Sequence, residues 1–184
     1  AVLRSFCVRF CRQLSMFIRD RNIFVTNQAD LKSVKSILFV CMGNICRSPS
    51  AEAVFRHKAK AFSLTIDSAG TVGSHAREKP DHRAQKAGIA RGYSFDKIKA
   101  RKVTEDDFEK FDIILAMDDK NVQDLLKIAP SHLQYKVQLF LDYAENFEDT
   151  EVPDPYYGGA KGFQFVLDLV EDASDGFIKR LKSA

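Results

Sequence analysis

Cys41 and Arg47 stand six positions apart, with Met42-Gly-Asn-Ile-Cys46 between them and Ser48-Pro49 directly after. A cysteine and an arginine at this spacing suit chemistry on an oxyanion. The sulfur would be a nucleophile, and the guanidinium a planar fork gripping two phosphate oxygens. The loop between them reads as an anion cradle. Gly43 and Asn44 tolerate left-handed backbone, so the N–H groups from Met42 through Ile45 and Cys46 can turn inward. Ser48 is an N-cap residue type and Pro49 suits a first helical position. A helix opening here would aim its free N–H groups and positive dipole end at the centre of the loop. That setting is expected to hold Cys41 as a thiolate near neutral pH, and Ser48 can donate a hydrogen bond to the sulfur. The plainer reading of Cys41 is a small buried hydrophobe after a strand. The agreement of strand, Gly-Asn turn, Arg, Ser and Pro favours the cradle.

Cleaving a phosphate ester also needs a proton for the leaving oxygen, and Arg47 does not give one up. Asp154 is the candidate acid. It is flanked by Pro153 and Pro155, which stiffen the loop and aim the carboxyl at a fixed point. A Pro-Asp-Pro run by itself is a turn, and it gains meaning only beside the Cys41 loop. Tyr156 and Tyr157 follow at once, either as a half-buried aromatic corner or as a wall for an aromatic substrate ring. Cys46 is either a filler or a partner that pairs with Cys41 under oxidant and protects it.

The elements that must position these residues follow from pattern. Ile37–Val40 is a short apolar run of the kind that fills a buried strand, with Cys41 at its end. A helix is expected from about Ser48 to Lys60. Leu64–Asp67 reads as a second strand, Asp112–Met117 as a third and Val137–Phe140 as a fourth. Pro80 and Asp81 open a short helix closed by Gly88, Thr104 caps a helical turn, and Asp118 caps a helix reaching Ile128. The last helix runs from about Gly162 to Lys182, with Phe163, Val166, Leu167, Val170, Ala173, Phe177 and Ile178 facing inward. Strands alternating with helices predict an α/β three-layer sandwich. Its centre would be a four-stranded parallel twisted sheet, flavodoxin-like or Rossmann-like, with helices on both faces. Ligands bind such sheets beyond the carboxyl ends of the strands. Cys41, Ser68 and Asp118 are expected just past strand ends, where one rim can collect them.

Composition narrows the classes. The 184 residues fit one domain, and 45% apolar content excludes general disorder. Four cysteines, all within the first 46 residues, exclude a disulfide-rich fold. Histidines 57, 75, 82 and 132 show no ligand spacing, so no metal is expected. Residues 1–35 carry seven basic and two acidic side chains, a net of +5, which leaves −2 for the rest. The body is not basic, so no nucleic-acid partner is expected. Residues 1–34 form a separate basic extension in which Leu3, Cys7, Phe10, Leu14 and Phe17 recur at helical spacing. It reads as a targeting segment, a membrane-surface helix, a partner-packing helix or a remnant without a role.

The stretch Val40–Pro49 resembles the signature loop of the low-molecular-weight protein tyrosine phosphatases. The resemblance extends to Asp67–Gly70, Ala100–Thr104, Phe111–Asp118 and Pro153–Gly158, and covers roughly residues 35 to 182. It implies a phosphatase domain over 35–184, hydrolysis of phosphotyrosine monoesters through a cysteinyl-phosphate, and no cofactor. It also implies the acid role for Asp154, a bracing role for Asn44 and Ser68, and Asp118 as a supporting residue. The partners it implies are phosphotyrosine-containing proteins or peptides, with phosphate or a similar oxyanion in the loop. A monomer or weak dimer in the cytoplasm is expected, with organelle targeting by residues 1–34 as the alternative. Two departures stand out. Ile98 occupies a position that is histidine in many members, and the chain lacks the tryptophan that relatives often carry near Ser74 and His75.

Three rival readings follow from the same loop. Arsenate reduction on this fold hands a disulfide to cysteines further along the chain, and none follows Cys46. Phosphoarginine hydrolysis is linked to a small polar residue where bulky Ile45 stands. An inactive phosphate-binding module would not need Cys41, Arg47 and Asp154 together.

Overall fold

The run Ile37–Val40 has no polar residue because the strand it forms is covered on both faces. In the computed structural model, which describes residues 31–156 and 158–183, β1 spans Ser36–Cys41 and lies inside the sheet. The remaining strands are β2 (Thr65–Gly70), β3 (Ile113–Ala116) and β4 (Val137–Leu139). All neighbours pair in parallel, in the order β2-β1-β3-β4, with Cys41 opposite Gly70 and Val40 opposite Ala116. The helices are α1 (Arg47–Lys58), α2 (His82–Ala90), α3 (Asp106–Lys110), α4 (Asp119–Ile128) and α5 (Gly159–Ser183). The sheet order and the helices on both faces make a flavodoxin-like α/β sandwich.

Strand alternation divides the core in two. Ile37, Phe39 and Cys41 point toward α1, α2 and α5, while Leu38 and Val40 point toward α3 and α4. On the first side Phe39 meets Phe55 and Phe140 at ring-centroid distances of 5.5 and 5.0 Å, and Phe55 meets Phe177 at 5.4 Å. On the second, Phe108, Phe111, Leu125 and Leu133 cover Leu38, Val40, Ile114 and Ala116. Each fully buried phenylalanine contributes about 1.5–3 kcal/mol by burial. These rings fix β1, and therefore the place where Cys41 leaves the sheet.

Several expected boundaries move, each for a local reason. The second strand continues to Gly70, so Ser68 lies inside β2 rather than past its end. Gly88 does not close α2. It sits within the helix because the Phe95 ring occupies the space a Cβ would need, 2.5 Å from Phe95 Cε2. The chain turns afterwards at Gly92, whose φ is 87°. Ser48 is not an N-cap. α1 begins at Arg47, one residue earlier, and Pro49 is its third residue rather than its first. The expectations for residues 1–30, an amphipathic or targeting helix among them, lie outside the described residues. Among the described residues no helix is long and apolar enough to cross a membrane.

Candidate active site

The cradle forms where β1 hands over to α1. Cys41 ends β1, and residues 42–46 curl over it before α1 opens at Arg47. Asn44 takes the left-handed turn with φ 54°, and Gly43 does not. The turn brings the Asn44 N–H to 3.3 Å from Cys41 Sγ, and Ser48 Oγ lies 3.1 Å from the same sulfur. Both contacts can stabilise negative charge on sulfur. The Ser48 hydroxyl is also 3.3 Å from the Ala69 carbonyl and accepts from Asn44 Nδ2 at 3.0 Å. Those tertiary bonds draw it away from the helix end.

A second layer fixes Asn44. Its Nδ2 donates to Ser68 Oγ at 2.9 Å and its Oδ1 accepts from the Arg101 N–H at 2.9 Å. Ser68 donates in turn to Glu52, a carboxyl buried in α1 that also meets Arg56 at 2.6 Å. Burial pushes the Glu52 pKa up to about 7, against the lowering effects of Ser68 and Arg56. Arg101 is held by Asp67 and, at 2.8 and 3.0 Å, by Asp107.

Arg47 is buried and clamped. Its Nη1 donates to Asp118 Oδ2 at 2.5 Å and to the Val152 carbonyl at 3.1 Å. Burial would lower its pKa, but Cys41, Asp118 and Asp154 outweigh burial and hold it above the ordinary value. Asp118 has a second task, since its Oδ1 accepts from Asn121 N at 2.6 Å and caps α4. Asp154 lies 3.7 Å from Arg47 Nη2 with its side chain 43% exposed. Its Oδ1 accepts from the Tyr156 N–H at 3.1 Å.

These groups meet at a hollow of about 220 Å³ lined by Cys41, Met42, Gly43, Ile45, Cys46, Arg47, His75, Asp154 and Tyr156. Cys41 itself is only 3% exposed, at the floor of this hollow. A sulfur nucleophile, an anion-gripping fork and a carboxyl group facing one space form the set that phosphate-ester cleavage needs.

Residues 36–184 match the family described as low molecular weight phosphotyrosine protein phosphatase. The chain belongs to this family. A low molecular weight phosphotyrosine protein phosphatase of Schizosaccharomyces pombe is 41% identical over 150 residues, covering 79% of this chain and 96% of the relative. A human protein of the same name is 38% identical over 155 residues, covering 81% of this chain and 97% of the relative. A protein tyrosine phosphatase from Entamoeba histolytica superposes with a TM-score of 0.78 at 43% identity, covering 81% of this chain and 97% of that one. This low molecular weight phosphatase is therefore a phosphoric monoester hydrolase acting on phosphotyrosine-containing substrates.

The phosphatase brings most of the expected site residues together. Met42, Gly43, Ile45, Cys46 and Tyr156 line the hollow with Cys41, Arg47 and Asp154. Asn44 and Ser48 do not line it. They are fully buried behind the loop, because their side chains are spent on Ser68, Arg101 and Cys41. Tyr157 lies outside the described residues. Both Cys41 and Cys46 are free thiols, and burial, then Asp81, pushes the Cys46 thiol up to about 12. Sequence reasoning missed Glu52, His75, Arg83 and Arg101. Glu52 looked like one more polar helix position. The Asp81-His-Arg83 start of α2 carried no signal of its distance-spanning contacts.

Proposed function

We propose that Cys41 attacks the phosphorus of phosphotyrosine in line, forming a sulfur–phosphorus bond as the bond to the phenolic oxygen breaks. Asp154 gives that oxygen its proton. The loop N–H groups and Arg47 carry the charge on the equatorial oxygens. In the second step Asp154 takes a proton from water, whose oxygen attacks the cysteinyl-phosphate. Phosphate leaves and the sulfur returns, its negative charge eased by Ser48 and the Asn44 N–H. The side chains of Asn44, Ser48, Ser68 and Asp118 hold the machinery without touching substrate. Met42, Ile45 and Tyr156 wall the hollow with apolar surface suited to a phenyl ring. Residues 35–184 are the catalytic unit.

The observation that carries this reading is the meeting of Cys41, Arg47 and Asp154 on one hollow. The test is hydrolysis of phosphotyrosine peptides. Cys41→Ser should abolish turnover, and Asp154→Ala should lower kcat by about 10²–10⁴. Normal turnover by Cys41→Ser overturns the assignment.

A further inference from the structure

Arg83 joins three elements at the edge of the site. Its Nε and Nη2 grip the two Asp81 oxygens at 3.0 and 2.8 Å. Its Nη1 donates to the Tyr156 carbonyl at 3.0 Å, 73 residues away in sequence. The guanidinium carbon lies 5.0 Å from the Tyr156 ring centroid and 4.9 Å from that of Phe163 in the first turns of α5. Asp81 is itself anchored, since its N–H donates to the Ile45 carbonyl of the cradle at 2.8 Å. A short relay therefore runs from the signature loop through Asp81 and Arg83 to the backbone two residues past Asp154.

That relay meets a need of the segment. Pro153 and Pro155 have no N–H to donate, so the stretch carrying Asp154 lacks two ordinary attachment points. The Tyr156 N–H is turned back onto Asp154 Oδ1. Pinning the next carbonyl therefore fixes the turn on which the carboxyl sits. A planar guanidinium can hold a carboxylate edge-on, donate a further bond and lie against rings together, and an ammonium cannot.

We infer that Arg83 is a positioning residue for the general acid, coupling the acid loop to the phosphate cradle. The inference rests on Asp154 being that acid. Arg83 touches no reacting atom. It sets where the Asp154 carboxyl stands relative to the leaving oxygen, where small displacements cost rate.

The experiment compares kcat/KM for phenyl phosphate, whose phenolate needs a proton to leave, with that for 2,4-dinitrophenyl phosphate, whose anion leaves without one. Arg83→Met, Arg83→Lys, Asp154→Ala and the Arg83→Met/Asp154→Ala double variant are measured, with Tm for each. Arg83→Met should lower phenyl phosphate turnover by about tenfold or more and dinitrophenyl phosphate turnover by less than about threefold. Arg83→Lys should fall between it and the parent. Within the Asp154→Ala background, Arg83→Met should add nothing to the substrate ratio. A unit ratio change with both substrates falling equally marks a general structural role and overturns the inference, as does no change at all. If Asp154→Ala leaves the ratio unmoved, the acid assignment itself fails. If Asp154→Ala moves it and Arg83→Met does not, only the role of Arg83 fails.

Discussion

Asp118 holds Arg47 with one carboxylate oxygen, at 2.5 Å, and the N-terminus of α4 with the other, at 2.6 Å from Asn121 N. The phosphate-gripping group is thereby fixed to an element on the far side of the sheet. Asp118→Asn can keep the cap but turns an amide toward a buried cation. It should destabilise the fold by about 3 kcal/mol, because the buried guanidinium loses its nearest counter-charge. It should also lower kcat/KM by about 10–100-fold as Arg47 loses its orientation. Thermal unfolding and inhibition by inorganic phosphate check the two effects separately, and phosphate affinity should fall.

Asn44 offers a sharper test of the turn. Its φ of 54° costs an alanine roughly 1–2 kcal/mol and a glycine almost nothing. Both substitutions delete the bonds to Ser48, Ser68 and Arg101. Asn44→Ala should therefore be less stable than Asn44→Gly by about 1 kcal/mol, the reverse of the usual order of these residues. Urea unfolding measures the difference, and both variants should lose most turnover.

Most of the cradle could be read from the chain because its chemistry is local. Cys41, Arg47 and the Gly-Asn turn lie within seven residues, and the apolar run before them announces the strand. Asp118 was legible as a cap, since a cap is a local event. What failed was tertiary. Ser48 has the residue type of a cap, yet its hydroxyl is drawn to Cys41 Sγ and the Ala69 carbonyl. Ser68-Ala-Gly70 looks like turn chemistry, yet it continues the ladder opposite Phe39, Val40 and Cys41. Glu52 sits in a helix whose first nine residues are all buried, so no amphipathic stripe marked it as an inward acid. Arg83 reaches across 73 residues, which no spacing rule registers.

Gly70 shows how tightly β2 supports the loop. A Cβ there would stand 2.7 Å from the Met42 carbonyl and 3.1 Å from Asn44 N, both backbone atoms of the cradle. Gly70→Ala must push the loop outward. Overpacking of this kind costs about 1–3 kcal/mol. Because the displaced atoms belong to the anion site, activity should suffer beyond the stability loss. At a temperature where the variant is fully folded, its KM for aryl phosphates should rise and its kcat/KM fall by about tenfold or more. Unchanged kinetics with lowered Tm would show that the strain is relieved elsewhere.

Glu52 makes stability depend on pH in a direction opposite to the usual carboxylate. Its pKa rises from 4.5 to about 7 on folding, chiefly through burial. Between these values the native state keeps the proton and the unfolded chain has released it. The native state then binds more protons, so the stability from this group falls as pH rises. The contribution is complete below about pH 4.5 and is lost as pH passes through about 7. Integrated over the shift, it amounts to on the order of 3 kcal/mol. Glu52→Gln stays neutral at every pH and keeps an oxygen for Arg56. Relative to the parent it should gain stability steadily from pH 5 to pH 8 by about that amount, read from denaturant unfolding at each pH. Parallel stability curves for the two proteins would remove Glu52 as the titrating group.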